Sequence, residues 1–224
     1  MLFRSGLEFP SVEHVFGWDT NIQVAILSRF PIIQSRSHTN ESFVLDGRRF
    51  RVSRALIETD IQVTPQYRFT LMTAHLKSQR PVPEADQAEM RLQEAIRLRQ
   101  KIDAAMQRNP KLNLVVCGDF NDHVRSPVIE TLVGRDRTSL IDTRPGEWTP
   151  GTEAPPESRQ RARRVTWTHF YSAEDSYSRL DYILLSRGMA REWQPEATYV
   201  LATPDWGDAS DHRPVVASFI AEDK

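Results

Sequence analysis

A chain of 224 residues with 39% hydrophobic content is long enough to bury a substantial core as one domain covering residues 1–224. Its 29 Lys and Arg against 30 Asp and Glu leave a net charge of −1, which excludes a globally basic nucleic-acid binder but not a local basic cleft. The single cysteine, Cys117, excludes an internal disulfide, and no apolar run is long enough to span a bilayer.

The start, MLFRSGLEFP, has no apolar signal-peptide core, so a soluble protein is expected, with the cytoplasm favoured and export left open should a leader precede Met1. Glu8 and Glu13 lie in GLEFPSVEHV, which lacks the apolar pattern of a core strand and predicts surface carboxylates. Ile22 to Leu27 (IQVAIL) predicts a buried strand closed by Ser28-Arg29-Phe30-Pro31. Phe50 to Val63 is rich in β-branched and alternating residues, and Thr64-Pro65-Gln66 turns the chain into Tyr67 to Lys77, predicting an antiparallel hairpin. From Glu84 to Arg108, Ala88, Leu92, Ala95, Ile96, Ile102 and Met106 recur at helical spacing between Pro83 and Asn109-Pro110. They predict one long amphipathic helix. A buried strand at Leu112 to Cys117 and a short helix near Pro127 to Val133 follow, then strands at Val165 to Phe170, Leu180 to Leu185 and Val215 to Ile220. Gly146 to Arg164, with Arg159, Arg161, Arg163 and Arg164, predicts a long loop. Interleaved strands and helices without an internal repeat predict a mixed α/β sandwich.

Polar clusters fall at the ends of these strands. His75-Leu76-Lys77-Ser78 follows one strand, and CGDFND at 117–122 places Asp119, Asn121 and Asp122 after another. Arg179-Leu180-Asp181-Tyr182 opens a third strand, and Ser210-Asp211-His212-Arg213-Pro214 precedes the last. Each has a structural reading: a surface histidine, an Asx turn at Asp119–Asn121, an Asp181–Arg179 pair, a cap at Asp211–His212. The functional reading is that strand ends in α/β proteins gather at one edge, where ligands bind.

The ordered set VAILSRFPI, TAHLKS, VVCGDFND, RLDYILLS and ASDHRPVVA resembles the endonuclease/exonuclease/phosphatase superfamily, which includes DNase I-like nucleases, abasic-site endonucleases, sphingomyelinases and inositol polyphosphate phosphatases. The resemblance runs from Ile22 to Ile220 and implies a DNase I-like four-layer α/β sandwich, two packed mixed sheets flanked by helices. It implies a divalent-metal-dependent phosphoesterase, foremost a nuclease acting on DNA. The alternatives are a phosphatase on a small or lipid phosphate, and a member with impaired catalysis that binds nucleic acid or a partner.

By the same resemblance, Asp119 orients and deprotonates the attacking water, and Asn121 donates its amide to a phosphoryl oxygen or joins a metal. His212 contacts the scissile phosphate, with Asp181 accepting from its other ring nitrogen. Asp211, with Asp119 and Asn121, implies ligands for Mg²⁺ or Mn²⁺. His75 matches the histidine of the DNase I-like and phosphatase branches, where abasic-site endonucleases tend to carry tyrosine, and is assigned as general acid or phosphate ligand. Lys77, Trp167 and Arg213 are assigned to substrate or phosphate, Trp167 through base stacking. One departure stands out: the family's first strands, which carry an Asn and the main metal-ligating Glu, have no counterpart before Ile22. An N-terminally truncated domain with weakened metal binding is therefore expected, associating with itself as a homo-oligomer by exchanging elements.

Overall fold

The computed structural model describes residues 9–151 and 166–223. In chain order the strands are β1 (Ser11–Val15), β2 (Val24–Ser28), β3 (Ile32–Ser35), β4 (Ser42–Leu45), β5 (Arg48–Arg51), β6 (Ile57–Gln62) and β7 (Arg68–His75). After helix α1 (Gln87–Arg108) come β8 (Leu114–Asp119), helix α2 (Pro127–Val133), β9 (Ile141–Asp142) and β10 (Gly146–Trp148). β11 (His169–Tyr171), β12 (Ser176–Ser178), β13 (Asp181–Leu185), β14 (Trp193–Leu201) and β15 (Val215–Phe219) complete the chain.

A six-stranded sheet in the order β3-β6-β7-β8-β13-β9 forms the centre. β7 and β8 run parallel, joined by the α1 crossover, while the other pairs are antiparallel. Alternation along the central strands sorts their side chains between two faces. Met72, Ala74, Leu114, Val116, Tyr182 and Leu184 turn to one side and meet Ala95, Leu98, Ile102 and Met106 of α1 and Val128, Ile129 and Leu132 of α2. Each such Val, Leu, Ile or Met side chain, once buried, contributes about 1.5–3 kcal/mol. Helix α1 begins where Asp86 accepts from the Ala88 and Glu89 amides, and ends at Asn109 before Pro110.

The other face of the sheet carries two separate smaller sheets, β1-β2 and β10-β14-β15. Val24 and Ile26 of β2 pack on Ile57, Ile61, Phe69 and Leu71, while Trp193 and Phe219 pack on Val115 and Leu185. The sandwich is thus met in its sheet layers and one helical layer, and among the described residues no α-helix covers the outer side of the second layer. No described helix is long and apolar enough to cross a membrane.

Parallel pairing brings the ends of β7 and β8 to the same edge, and β13 starts there in the opposite direction. The backbones approach closely at this edge. A Cβ on Gly118 would sit 1.9 Å from the Ala74 carbonyl oxygen, and its φ of +145° is a conformation L side chains rarely adopt. Glycine in CGDFND is therefore a packing requirement of the site edge.

Several expectations are corrected. Ser11–Val15 does form a strand, antiparallel to β2, and Glu13 accepts from the Ser35 and Ser37 hydroxyls. Phe50 to Val63 is not one strand: β5 pairs with β4, and β6 with β7, because Ser53 and Arg54 between them are held by side chains of other elements. Gly146–Trp148 is a strand parallel to β14 and not loop, while Glu8 and the four arginines at 159, 161, 163 and 164 lie outside the described residues. β14 itself escapes a periodicity reading because its alternation breaks at Gln194-Pro195-Glu196, where its register on β15 also shifts.

Candidate active site

The sheet edge sets the site. His75 pairs in register with Asp119 across β7–β8, and Asp119 with Asp181 across β8–β13. Residues level with one another across neighbouring strands share a face, so one row presents imidazole, carboxylate and carboxylate to the side away from the helices. His212 arrives from the segment before β15 and closes the row. Its Nδ1 donates to Asp181 Oδ2 at 2.8 Å, and its Nε2 lies 3.8 Å from Asp119 Oδ2. His75 Nε2 approaches the same oxygen at 3.3 Å. Asp119 therefore stands between two imidazoles.

Asn121 completes the turn. Its amide N–H donates to Asp119 Oδ1 at 2.9 Å, and its side-chain Nδ2 donates to Asp119 Oδ2 at 3.2 Å and to the Leu76 carbonyl at 3.1 Å. Asn121 has φ +53°, a left-handed conformation that asparagine tolerates better than most residues. The Asx turn and the site are the same structure.

Burial dominates the electrostatics. It pushes the Asp119 carboxyl up to about 6, helped by the Asp181 charge and opposed by His212, the Asn121 amide and Arg54. Burial together with the positive charges of Arg54 and His212 holds His75 down at about 4, so His75 is neutral at neutral pH. For His212 burial acts downward, but the Asp181 hydrogen bond and the charges of Asp181, Asp119 and Asp211 outweigh it and raise the pKa.

Supporting residues absent from the sequence reading hold this row. Buried Thr168 accepts the Leu180 and Asp181 amides on its Oγ1, fixing the start of β13. Buried Arg54 donates to the Leu76 carbonyl at 3.1 Å and meets Asp19 at 3.4 Å. From α1, Glu94 accepts the Ser53 amide, the Ser53 hydroxyl and the Lys77 amide, while Arg91 donates to Asp122 and to the Lys77 and Ser78 carbonyls. One turn of helix thus grips three loops around the site. Glu94→Gln would set an NH₂ group against one of these donors, and is expected to lower stability by about 1–3 kcal/mol in urea unfolding; an unchanged midpoint would show the grip to be dispensable.

The remaining assigned residues divide. Lys77 lies half-buried beside the site, with burial and Arg54 lowering its pKa. Trp167 joins an aromatic cluster with Tyr177 at 4.9 Å and Trp206 at 5.0 Å. Arg213 is corrected: it is buried, donates to Glu147 Oε2 at 2.8 Å, and sits 4.0 Å from the Trp167 ring centre, so it supports Trp167 instead of meeting phosphate. Arg179 pairs with Asp142, leaving Asp181 to His212. Trp148 packs at a tilt against Tyr199, ring centres 4.9 Å apart, within the second layer.

Two groups of donors fit a divalent cation. Asp119, Asp181 and His212 bring ligand atoms within 4.8 Å of one another, and so do His169, Asp211 and His212. The structure thus places Asp211 with His169, a residue the sequence reading passed over, and not in the group that contains Asp119.

Comparison with known proteins agrees with this architecture. Residues 13–212 match the model of the Endonuclease/Exonuclease/phosphatase family, and no curated protein matches the sequence. The fold is similar to the human Nocturnin catalytic domain with bound sulfate anion (TM-score 0.59, 18% identity, covering 88% of this chain and 63% of that one). It is also similar to a 3′ phosphatase from Neisseria, NExo, bound to product DNA hairpin (TM-score 0.55, 18% identity, 88% and 74%). A third likeness is sphingomyelinase C from Streptomyces griseocarneus (TM-score 0.52, 16% identity, 86% and 66%). The chain spans less than two thirds of the length of the Nocturnin domain and of the sphingomyelinase, and at these identities the likeness carries the fold alone. With the family model covering most of the sequence, the chain belongs to the endonuclease/exonuclease/phosphatase family.

Proposed function

We propose that the protein is a divalent-metal-dependent phosphoesterase that hydrolyses phosphodiester bonds of nucleic acid. The observation that carries this reading is the row His75–Asp119–Asp181 closed by His212. Asp119, whose pKa burial pushes up to about 6, takes the proton of the attacking water. His212, whose pKa the Asp181 hydrogen bond and charge raise against the effect of burial, is oriented by Asp181 and donates to a phosphoryl oxygen. His75 is neutral and donates a hydrogen bond, a role better matched to its lowered pKa than that of general acid. Asp119 and Asn121 are the residues that would hold Mg²⁺ or Mn²⁺, whose charge would stabilise the phosphoryl oxygens.

Nucleic acid is favoured over a small phosphate by Tyr171, whose ring is centred 6.5 Å from that of His169, itself 4.6 Å from the His212 ring. Tyr171 is 48% exposed, and such a ring stacks on a base. A second reading, a phosphatase on a nucleic-acid end, draws on the likeness to the Neisseria 3′ phosphatase. Supercoiled plasmid and a 3′-phosphorylated oligonucleotide, each with Mg²⁺ or Mn²⁺ and with a chelator control, separate them. Nicking that chelator and Asp119→Asn abolish is the expected result. Free phosphate without nicking would move the assignment to the second reading, and neither product would refute both.

A further inference from the structure

His169 is used by none of the steps above, yet its position is built. Its backbone forms an antiparallel bridge with His212, framed by Phe170 N–H donating to the Asp211 carbonyl at 3.0 Å and Arg213 N–H donating to the Thr168 carbonyl at 2.7 Å. Residues facing each other across such a bridge project their side chains together. The two imidazole rings accordingly lie 4.6 Å apart, and His169 Nε2 is 3.6 Å from Asp211 Oδ2.

The donor set suits a metal. His212 commits Nδ1 to Asp181, which leaves Nε2 as its ligand atom; a carboxylate behind a histidine in this way fixes the tautomer and raises ligand basicity. The Asp211 side chain is 69% exposed, leaving solvent free to fill a fourth position. Two imidazole nitrogens and one carboxylate oxygen make a softer set than the oxygens of Asp119 and Asn121, and imidazole suits Zn²⁺ or Co²⁺ where carboxylate and carbonyl oxygens suit Mg²⁺.

We propose that His169, Asp211 and His212 form a second cation site, selective for Zn²⁺-like ions over Mg²⁺, on the rim of the phosphoesterase centre. An ion there takes His212 Nε2, the atom that faces the phosphate, so occupancy competes with turnover. The site makes the enzyme sensitive to Zn²⁺ without a separate regulatory domain.

The test is a binding measurement on metal-free protein, and its outcome is independent of the substrate reading. Co²⁺ is titrated with detection by visible absorption, and Zn²⁺ by calorimetry, each in the presence of excess Mg²⁺. One ion bound with the visible bands of a nitrogen-ligated site is expected. His169→Ala and Asp211→Ala should each weaken it at least about tenfold, while Asp119→Asn leaves it in place. Asp211→Ala alters a largely exposed side chain, so loss of binding there cannot be ascribed to misfolding, and circular dichroism checks the His169 variant. Zn²⁺ and Co²⁺ affinities unchanged in both variants, or full displacement by Mg²⁺, would overturn the proposal.

Discussion

Asp119→Asn is expected to stabilise the metal-free protein at alkaline pH while removing its turnover. The buried carboxyl faces Asp181, and its pKa in the fold is about 6, above the carboxylate value of about 3.9 in an unfolded chain. Between these values the native state holds a proton that the unfolded state has lost, so stability falls as pH rises through this window. Above it the ionised side chain costs the fold about 1–3 kcal/mol, which a neutral amide avoids. The Asn121 amide N–H still finds an oxygen at position 119, whereas the Asn121 Nδ2 group meets an NH₂, which returns part of the gain. Thermal unfolding in chelator should show Asp119→Asn above the parent at about pH 8 and level with it at about pH 4.5. Turnover should fall about 10²–10⁴-fold. A variant less stable than the parent at the higher pH would remove the case for a strained carboxylate kept for chemistry.

The second large effect concerns the His212–Asp181 pair. His212→Ala should cost about 10²–10⁴ in turnover, and Asp181→Asn nearly as much, because the amide loses the charge that raises His212. The two act as one unit through a 2.8 Å hydrogen bond, so the double variant should be no slower than His212→Ala alone. Asp181 also has a signature in pH. It raises the pKa of both Asp119 and His212, so in Asp181→Asn both fall, and the rate profile should move as a whole toward acid. Additive losses in the cycle, or a profile displaced toward alkali, would mean that Asp181 does not act through its two neighbours.

The exposed edge of the molecule follows from the same topology. β15 pairs only with β14, and β2 only with β1, among the described residues, so each leaves one side of its ladder without a strand partner.

What could be read from the chain is what local pattern controls. The apolar run of β8, the α1 spacing between Pro83 and Pro110, and the Ser126-Pro127 start of α2 each rest on contacts within a few residues or on one-sided burial. Among the elements missed or misread, β1, β10 and β14 are short or irregular and owe their extended form to pairing with other strands. The site divides the same way. His75, Asp119, Asn121, Asp181 and His212 stand out in sequence because they sit in recognisable strand-end motifs, whereas His169, Thr168, Arg54 and Glu94 look like ordinary residues until the fold brings them to that edge.

By itself the sequence determined the family, the order of the strands that carry the motifs, and the residue types available for phosphoester chemistry. Partner choice was decided only by tertiary structure: Asp181 takes His212 while Arg179 takes Asp142, Arg213 is drawn beneath Trp167, and Asp211 joins His169. The physical reason is that hydrogen bonds and ion pairs are settled at about 3–4 Å through space, a distance set by sheet register and layer packing and not by separation along the chain.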